Sequence, residues 1–258
     1  MDYKKAADLL YKAEAGCYQI GMLTAENPDM TVEDAYAVQL ENVRRREAAG
    51  EKVIGMKIGL TSKGMQRLLG VNEPDYGHLF ENMLLPEGVP CSMSGLIQPK
   101  VEGELSFYLN KTLSGPGVTI ADVYAATEYV IPSIEIVDSR IKDWKIKLCD
   151  TVADNGSSAR LVLGGRMTPV KDVDMRLTGM MLEQNGELIS TGTTAEVWGN
   201  PAAAVAWLAN KLGSFGIALK AGSIVMAGAV TAALAAKAGD HFTVSFQGMG
   251  SVSVKFVE

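Results

Sequence analysis

The stretch Lys100-Val101-Glu102-Gly103-Glu104-Leu105-Ser106-Phe107-Tyr108 constrains the fold most. Polar and apolar residues alternate along it, and a side-chain period of two belongs to a β-strand. One face then carries Glu102, Glu104, Ser106 and Tyr108, the other Val101, Leu105 and Phe107. The apolar face needs a core to cover it. The polar face sets two carboxylates side by side, and like charges there repel. Such a pair persists either as an ordinary solvated strand face or around a cation that cancels the repulsion.

A chain of 258 residues can bury a sizeable core, as one large domain or as a compact domain with a smaller N-terminal appendage. Its 30 acidic residues outnumber 24 basic ones, and no basic run or stripe overrides that balance, so no nucleic-acid partner is expected. Cys17, Cys91 and Cys149 lie far apart without a CxxC pair, which suggests neither a disulfide framework nor a thiolate zinc site. The start Met1-Asp2-Tyr3-Lys4-Lys5 leads into an amphipathic segment rather than an apolar signal core, and no apolar run reaches the roughly 18 residues of a membrane span. The expected location is the cytoplasm, away from any membrane.

Ala6, Leu9, Leu10 and Ala13 fall at helical spacing within residues 3–21. A second helix is announced by Thr31, with Asp34 placed to complete a capping box, and ends at Gly50; Ala35, Val38, Val43 and Ala48 form its apolar stripe. Arg44, Arg45 and Arg46 near its end complement the helix dipole. The run 53–62 reads as a strand entering a turn, followed by a helix from Ser62 to Leu69. Within it Lys57 stands between Gly55 and Gly59, either at an edge facing water or held against an anion, since charges are rarely buried alone. Glu73-Pro74-Asp75-Tyr76-Gly77 reads as a turn in which Asp75 could serve only the backbone. The character changes near residue 90, dividing a mainly helical part (1–90) from a strand-rich part (91–258) that holds the paired carboxylates.

Beyond that boundary, a helix over 119–127 precedes a strand over 129–137. Alternation puts Glu135 with Ser133 and Val137, opposite Ile134 and Ile136, which makes it the better third carboxylate and Asp138 the weaker. Residues 142–147 read as a loop or edge and 150–158 as polar and turn-prone. Asn185-Gly186 marks a hairpin, and Asn200-Pro201 starts a helix. Two histidines cannot build a multi-histidine metal site, and no GxSxG elbow, phosphate-binding loop or dinucleotide fingerprint occurs in its required context. What remains is the oxygen set Glu102, Glu104 and Glu135. Such ligands suit Mg²⁺, Mn²⁺ or Ca²⁺ and leave coordination positions open.

In order along the chain, Glu33-Asp34-Ala35-Tyr36, Lys57-Ile58-Gly59-Leu60-Thr61-Ser62, Glu73-Pro74-Asp75-Tyr76-Gly77, Glu102-Gly103-Glu104, Glu135-Ile136-Val137-Asp138-Ser139-Arg140, Asp150-Thr151-Val152-Ala153-Asp154-Asn155 and Val205-Ala206-Trp207-Leu208-Ala209-Asn210 resemble one family. It is that of the 2-hydroxypenta-2,4-dienoate hydratases and 4-oxalocrotonate decarboxylases of aromatic meta-cleavage pathways, within the fumarylacetoacetate hydrolase superfamily. The resemblance implies an α+β fold: a mixed, curved β-sheet roll with flanking helices and a small helical N-terminal part, usually as a homo-oligomer. It also implies that Glu102, Glu104 and Glu135 bind a divalent cation, most often Mg²⁺, with Mn²⁺ as a substitute. Lys57 and Asp75 become the proton-transfer groups, and Thr61, Ser62 and Ser158 contacts to the substrate carboxylate.

The same resemblance implies a lyase acting on a small 2-hydroxydienoate or 2-oxo acid. Lys63-Gly64-Met65-Gln66-Arg67-Leu68-Leu69-Gly70-Val71, Asp143-Trp144-Lys145-Ile146-Lys147 and Ala206-Trp207-Leu208 resemble the hydratase branch. Ser158-Ala159-Arg160, Gly164-Gly165-Arg166 and Met226-Ala227-Gly228-Ala229-Val230-Thr231 resemble the decarboxylase. The balance leans to a hydratase that turns a 2-hydroxy-2,4-dienoate into a 4-hydroxy-2-oxoacid, with 4-oxalocrotonate decarboxylation as the alternative. A non-catalytic accessory subunit is the reading from another class, because paired complexes with a paralogous pathway enzyme are a feature of the family.

Overall fold

A computed structural model describes residues 1–258, apart from the side chains of Leu68 and Leu69, which belong to the Lys63–Val71 stretch quoted above. The chain opens with α1 (Tyr3–Gly16), α2 (Leu23–Glu26) and α3 (Val32–Ala48), followed by β1 (Val53–Gly59), α4 (Lys63–Leu69), β2 (Asp75–Phe80), β3 (Leu84–Leu85) and β4 (Cys91–Ser92). The middle holds β5 (Lys100–Leu109), α5 (Ile120–Ala126), β6 (Thr127–Val137), α6 (Leu148–Ala153), β7 (Ser158–Leu163) and β8 (Thr168–Pro169). The end comprises β9 (Gly179–Gln184), β10 (Glu187–Thr193), α7 (Pro201–Gly213), β11 (Ile224–Ala229), β12 (Leu234–Ala235), β13 (His241–Phe246) and β14 (Gly250–Val257).

Local chemistry sets several boundaries. Thr31 and Asp34 form the reciprocal capping box of α3. Asn200 accepts from the Ala202 N–H to start α7, with Pro201 in its first turn. Asn185 (φ 56°) and Gly186 (φ 82°) turn β9 into β10, as a two-residue hairpin demands.

The principal sheet is mixed, in the order β2-β1-β11-β5-β6-β7-β3, with β12 attached to β5 and β8 to β6. β1–β11 and β3–β7 are parallel; β1–β2, β5–β6, β5–β11 and β6–β7 are antiparallel. The second sheet runs β10-β9-β13-β14-β4. One glycine shows how closely the two sheets pack: a Cβ on Gly103 would lie 3.0 Å from Val244 Cγ1 and 3.2 Å from Met180 Cε. Gly103 therefore brings β13 and β9 against β5, while Glu102 and Glu104 project from the opposite face. Val101, Leu105 and Phe107 join the main core on the Gly103 side.

Strands β1, β2 and β3, all before residue 90, hydrogen-bond into the sheet that holds β5. Three sequence expectations differ from the structure. Asp75–Gly77 is no turn but the start of β2, buried throughout. Tyr36 of α3 stacks on Tyr76 with ring centroids 4.4 Å apart, and the Gln39 amide donates to the Tyr76 carbonyl at 2.9 Å, so tertiary cover overrides the turn-prone composition. Residues 150–158 contain the end of α6 and a short 3₁₀ turn; Asp150 is buried because its carboxylate accepts from the Thr24 N–H and hydroxyl. Ala48 is exposed, and Tyr36 and Gln39 complete the buried face of α3 instead. Among the described residues, no helix is long and apolar enough to cross a membrane.

Candidate metal centre

The β5–β6 register sets Glu102 directly opposite Glu135 and Glu104 opposite Ser133. Cross-strand partners share a face, so three carboxylates meet on one side of the sheet. One oxygen from each lies within 4.8 Å of the others. Glu104 and Glu135 are buried, and Glu102 is half-buried. Glu104 Oε2 accepts from the Gly228 N–H at 2.9 Å. Glu104 Oε1 and both oxygens of Glu135 have no hydrogen-bond partner.

Lys57 reaches the cluster from β1, although β11 and β5 separate that strand from β6. Its ammonium stands 3.3 Å from Glu135 Oε2 and donates to the Gly156 carbonyl at 3.1 Å. Asp75 is paired in register with Gly59. A Cβ on Gly59 would strike Asp75 Oδ1 and lie 3.2 Å from Lys57 Nζ, so this glycine leaves the gap in which the two charged groups approach. Thr151 Oγ1 donates to Asp75 Oδ2 at 3.5 Å, and Asp75 Oδ1 is unpartnered.

Burial, then repulsion from Glu135, pushes the Glu102 carboxyl up to about 7, with Lys57 opposing. The same causes, burial first, hold Glu104 well above the ordinary carboxylate range. Burial also raises Glu135 and Asp75, and Lys57 pulls both back. For Lys57, burial disfavours the ammonium, but Glu135, Asp75, Glu102 and Glu104 together outweigh it and raise the lysine above its usual value. One lysine cannot neutralise this many carboxylates. Unpartnered buried oxygens of hard donor type are what a divalent cation needs, so Glu102, Glu104 and Glu135 fit one.

The remaining expected site residues divide. Ser158, at the start of β7, buries its hydroxyl beside Glu135 without a formed hydrogen bond. Thr61 is buried against Gly228. Ser62 Oγ instead accepts from the Met65 N–H at 3.1 Å and caps α4. Asp138 stays out of the cluster, accepting from the Ile97 and Gln98 amides at 2.8 and 2.6 Å. Arg160 pairs in register with Ile136, which places it on the face opposite Glu135.

Sequence reasoning missed the support behind Lys57. Asn155, Gly156 and Ser157 are consecutive left-handed residues (φ 56°, 61° and 55°). The buried Arg140–Asp154 ion pair braces them: the Asp154 carboxylate also accepts from the Arg140 N–H at 3.0 Å and the Ser157 hydroxyl at 3.3 Å. Asn155 bridges to β2 through the His78 N–H and carbonyl, at 2.7 and 2.9 Å. The only local signal was the Asp154-Asn155-Gly156 composition, which reads as an ordinary turn.

A mixed curled sheet carrying three inward carboxylates defines the class: the fumarylacetoacetate hydrolase C-terminal family model matches residues 72–257, and the chain belongs to that family. It is 53% identical over 212 residues to a 2-hydroxypent-2,4-dienoate hydratase of Pseudomonas putida, covering 82% of this chain and 96% of the relative. It is 49% identical over 251 residues to a 2-hydroxyhexa-2,4-dienoate hydratase of Comamonas testosteroni, covering 96% and 95%. The solved 4-oxalocrotonate decarboxylase of Pseudomonas putida, complexed with magnesium and adipate, superposes with a TM-score of 0.96 at 42% identity, covering 100% of this chain and 99% of that one. Hydratases and decarboxylases of this kind are lyases.

Proposed function

We propose that this chain is a divalent-cation-dependent hydratase, adding water to a 2-hydroxy-2,4-dienoate to give a 4-hydroxy-2-oxoacid in meta-cleavage catabolism. The observation that carries the reading is the convergence of Glu102, Glu104 and Glu135, in which Glu104 Oε1 and both Glu135 oxygens lack a hydrogen bond, with Lys57 and Asp75 beside them. A cation held by the three glutamates, Mg²⁺ by donor type and by likeness to the magnesium-bound neighbour, supplies Lewis-acid polarisation of the substrate's C2 oxygen.

The protein's own groups handle orientation and protons. Ketonisation of the dienol moves a proton from the C2 hydroxyl to C5; water then adds at C4 and a proton goes to C3. Lys57 and Asp75 are the ionisable pair next to the carboxylates, and burial beside each other suits them to hold and release those protons. In this reading Thr61 and Ser158 hold the substrate carboxylate, and Ser62 joins them only by sharing the hydroxyl that caps α4. The cluster of Val43, Leu79, Phe80, Met83, Leu161 and Met226 keeps water from the floor of the site, since Leu161 shares a face with Glu135 and Met226 with Lys57. The reading extends to a cytoplasmic homo-oligomer, supported by the family resemblance.

Decarboxylation of 4-oxalocrotonate is the second reading, favoured by the superposition on the solved decarboxylase. Arg160, one of the decarboxylase-like residues, pairs with Ile136 and so starts from the sheet face opposite Glu135. Ultraviolet absorbance separates the readings. Mg²⁺-dependent decay of the 2-hydroxypenta-2,4-dienoate chromophore supports the hydratase. Appearance of that chromophore from 4-oxalocrotonate, without the decay, overturns it in favour of the decarboxylase, and silence in both assays leaves an accessory subunit.

A further inference from the structure

We propose that Gly228 is a positioning residue for Glu104, its backbone N–H fixing which carboxylate oxygen is left to the cation; this rests on the metal reading above. No side chain in Met226-Ala227-Gly228-Ala229-Val230-Thr231 is ionisable, so this stretch can influence the charged cluster only through its backbone or its shape. Met226 pairs with Ser106 and Ala229 with Glu104, three steps along β11 against two along β5. That is a β-bulge, and its extra residue turns a backbone N–H out of the ladder. The freed N–H is that of Gly228, which donates to Glu104 Oε2 at 2.9 Å in a buried, charge-assisted hydrogen bond. Oε1 of the same carboxylate is the atom left unpartnered.

Two independent features require glycine at this position. Its φ of +118° lies where L-residues are strained. A Cβ there would also strike Thr61 Oγ1 and lie 2.7 Å from Thr61 Cγ2 and 2.9 Å from Thr61 Cβ. Any side chain must therefore rotate the bulge, withdrawing the N–H from Glu104, or displace Thr61. Gly228 thus couples a metal-ligand carboxylate to the loop that leads into α4. Loss of a hydrogen bond that orients a ligand lowers metal affinity by about 10–100-fold.

The test is Mn²⁺ binding, followed by electron paramagnetic resonance on the full chain, with folding checked by circular dichroism. Wild type binds Mn²⁺ and Glu104→Gln does not; failure of either result removes the metal reading and this inference with it. With those two in hand, Gly228→Ala binds Mn²⁺ at least tenfold more weakly, and an affinity within twofold of wild type overturns the inference alone. The double variant Gly228→Ala/Thr61→Gly stays weak because the strained backbone persists. Recovery there shows that Gly228 merely makes room for Thr61, and overturns the proposal. If Gly228→Ala does not fold, amide exchange decides: Gly228 exchanges at least tenfold faster in Glu104→Ala than in metal-free wild type, with Val225 unchanged. Equal Gly228 rates in the two proteins overturn the proposal.

Discussion

Lys57 Nζ stands 3.3 Å from Glu135 Oε2, although their strands β1 and β6 are separated in the sheet by β11 and β5. Both side chains are almost wholly buried, so the contact makes Lys57 the internal counter-charge of the carboxylate cluster. It also makes the ammonium a rival of any cation for Glu135. Lys57→Met should lower turnover by about a hundredfold or more, as expected for loss of a proton-transfer group. Its Mn²⁺ affinity should equal or exceed that of wild type. Weaker Mn²⁺ binding in this variant would mean that Lys57 helps build the ion site.

The raised carboxyls give the cation effect a pH dependence of definite sign. Glu102, pushed up to about 7, and the raised Glu104 and Glu135 keep protons in the metal-free folded protein that the unfolded chain has already released. Their contribution to stability is complete below the unfolded value of 4.5 and is lost as pH rises through the folded values. A bound cation removes that loss. The difference in Tm between Mg²⁺ and a chelator should therefore widen from pH 5 to pH 8 in thermal scans; a constant difference would speak against proton displacement by the ion.

His78 acts in the opposite direction. Burial depresses it from 6.5 to about 4. The Gln39 amide nitrogen donates to the Tyr76 and Val152 carbonyls, so Gln39 Oε1 accepts from a protonated His78 Nδ1 at 3.0 Å. Stability from the neutral ring is present above 6.5 and lost as pH falls towards 4, amounting to about 3 kcal/mol when complete. In a chelator, His78→Asn should show a flatter fall in Tm over that interval than wild type. Parallel curves would contradict this assignment.

Asp154→Ala leaves the Arg140 guanidinium buried without its carboxylate and releases the turn that presents the Gly156 carbonyl to Lys57. Breaking a buried pair from one side costs about 3–5 kcal/mol, which urea unfolding should register. Turnover should fall in the folded fraction while Mn²⁺ binding persists, since Glu102, Glu104 and Glu135 sit on β5 and β6.

The parts of the site readable from the sequence were those with a local period. Alternation placed Glu102, Glu104 and Glu135 on strand faces, and the structure brings those faces together through the β5–β6 register. The α3 capping box and the Asn185-Gly186 hairpin were legible because their signals span only a few residues. Asp75 was misplaced in a turn because α3, some 35 residues earlier, supplies the cover that makes β2 a strand. Gly228 and the left-handed run Asn155–Ser157 were invisible for a related reason. Their roles come from a bulge register and from a brace to Arg140, neither of which leaves a periodic pattern.

In the proposed reaction three glutamates hold the cation on which dienol hydration depends. Its most direct test follows the 2-hydroxypenta-2,4-dienoate chromophore across a Mg²⁺ titration in wild type and Glu135→Gln, both checked for fold. Mg²⁺-saturable decay is expected in wild type, and none at any Mg²⁺ concentration in the variant. Saturable hydration by Glu135→Gln at wild-type Mg²⁺ concentrations would contradict it.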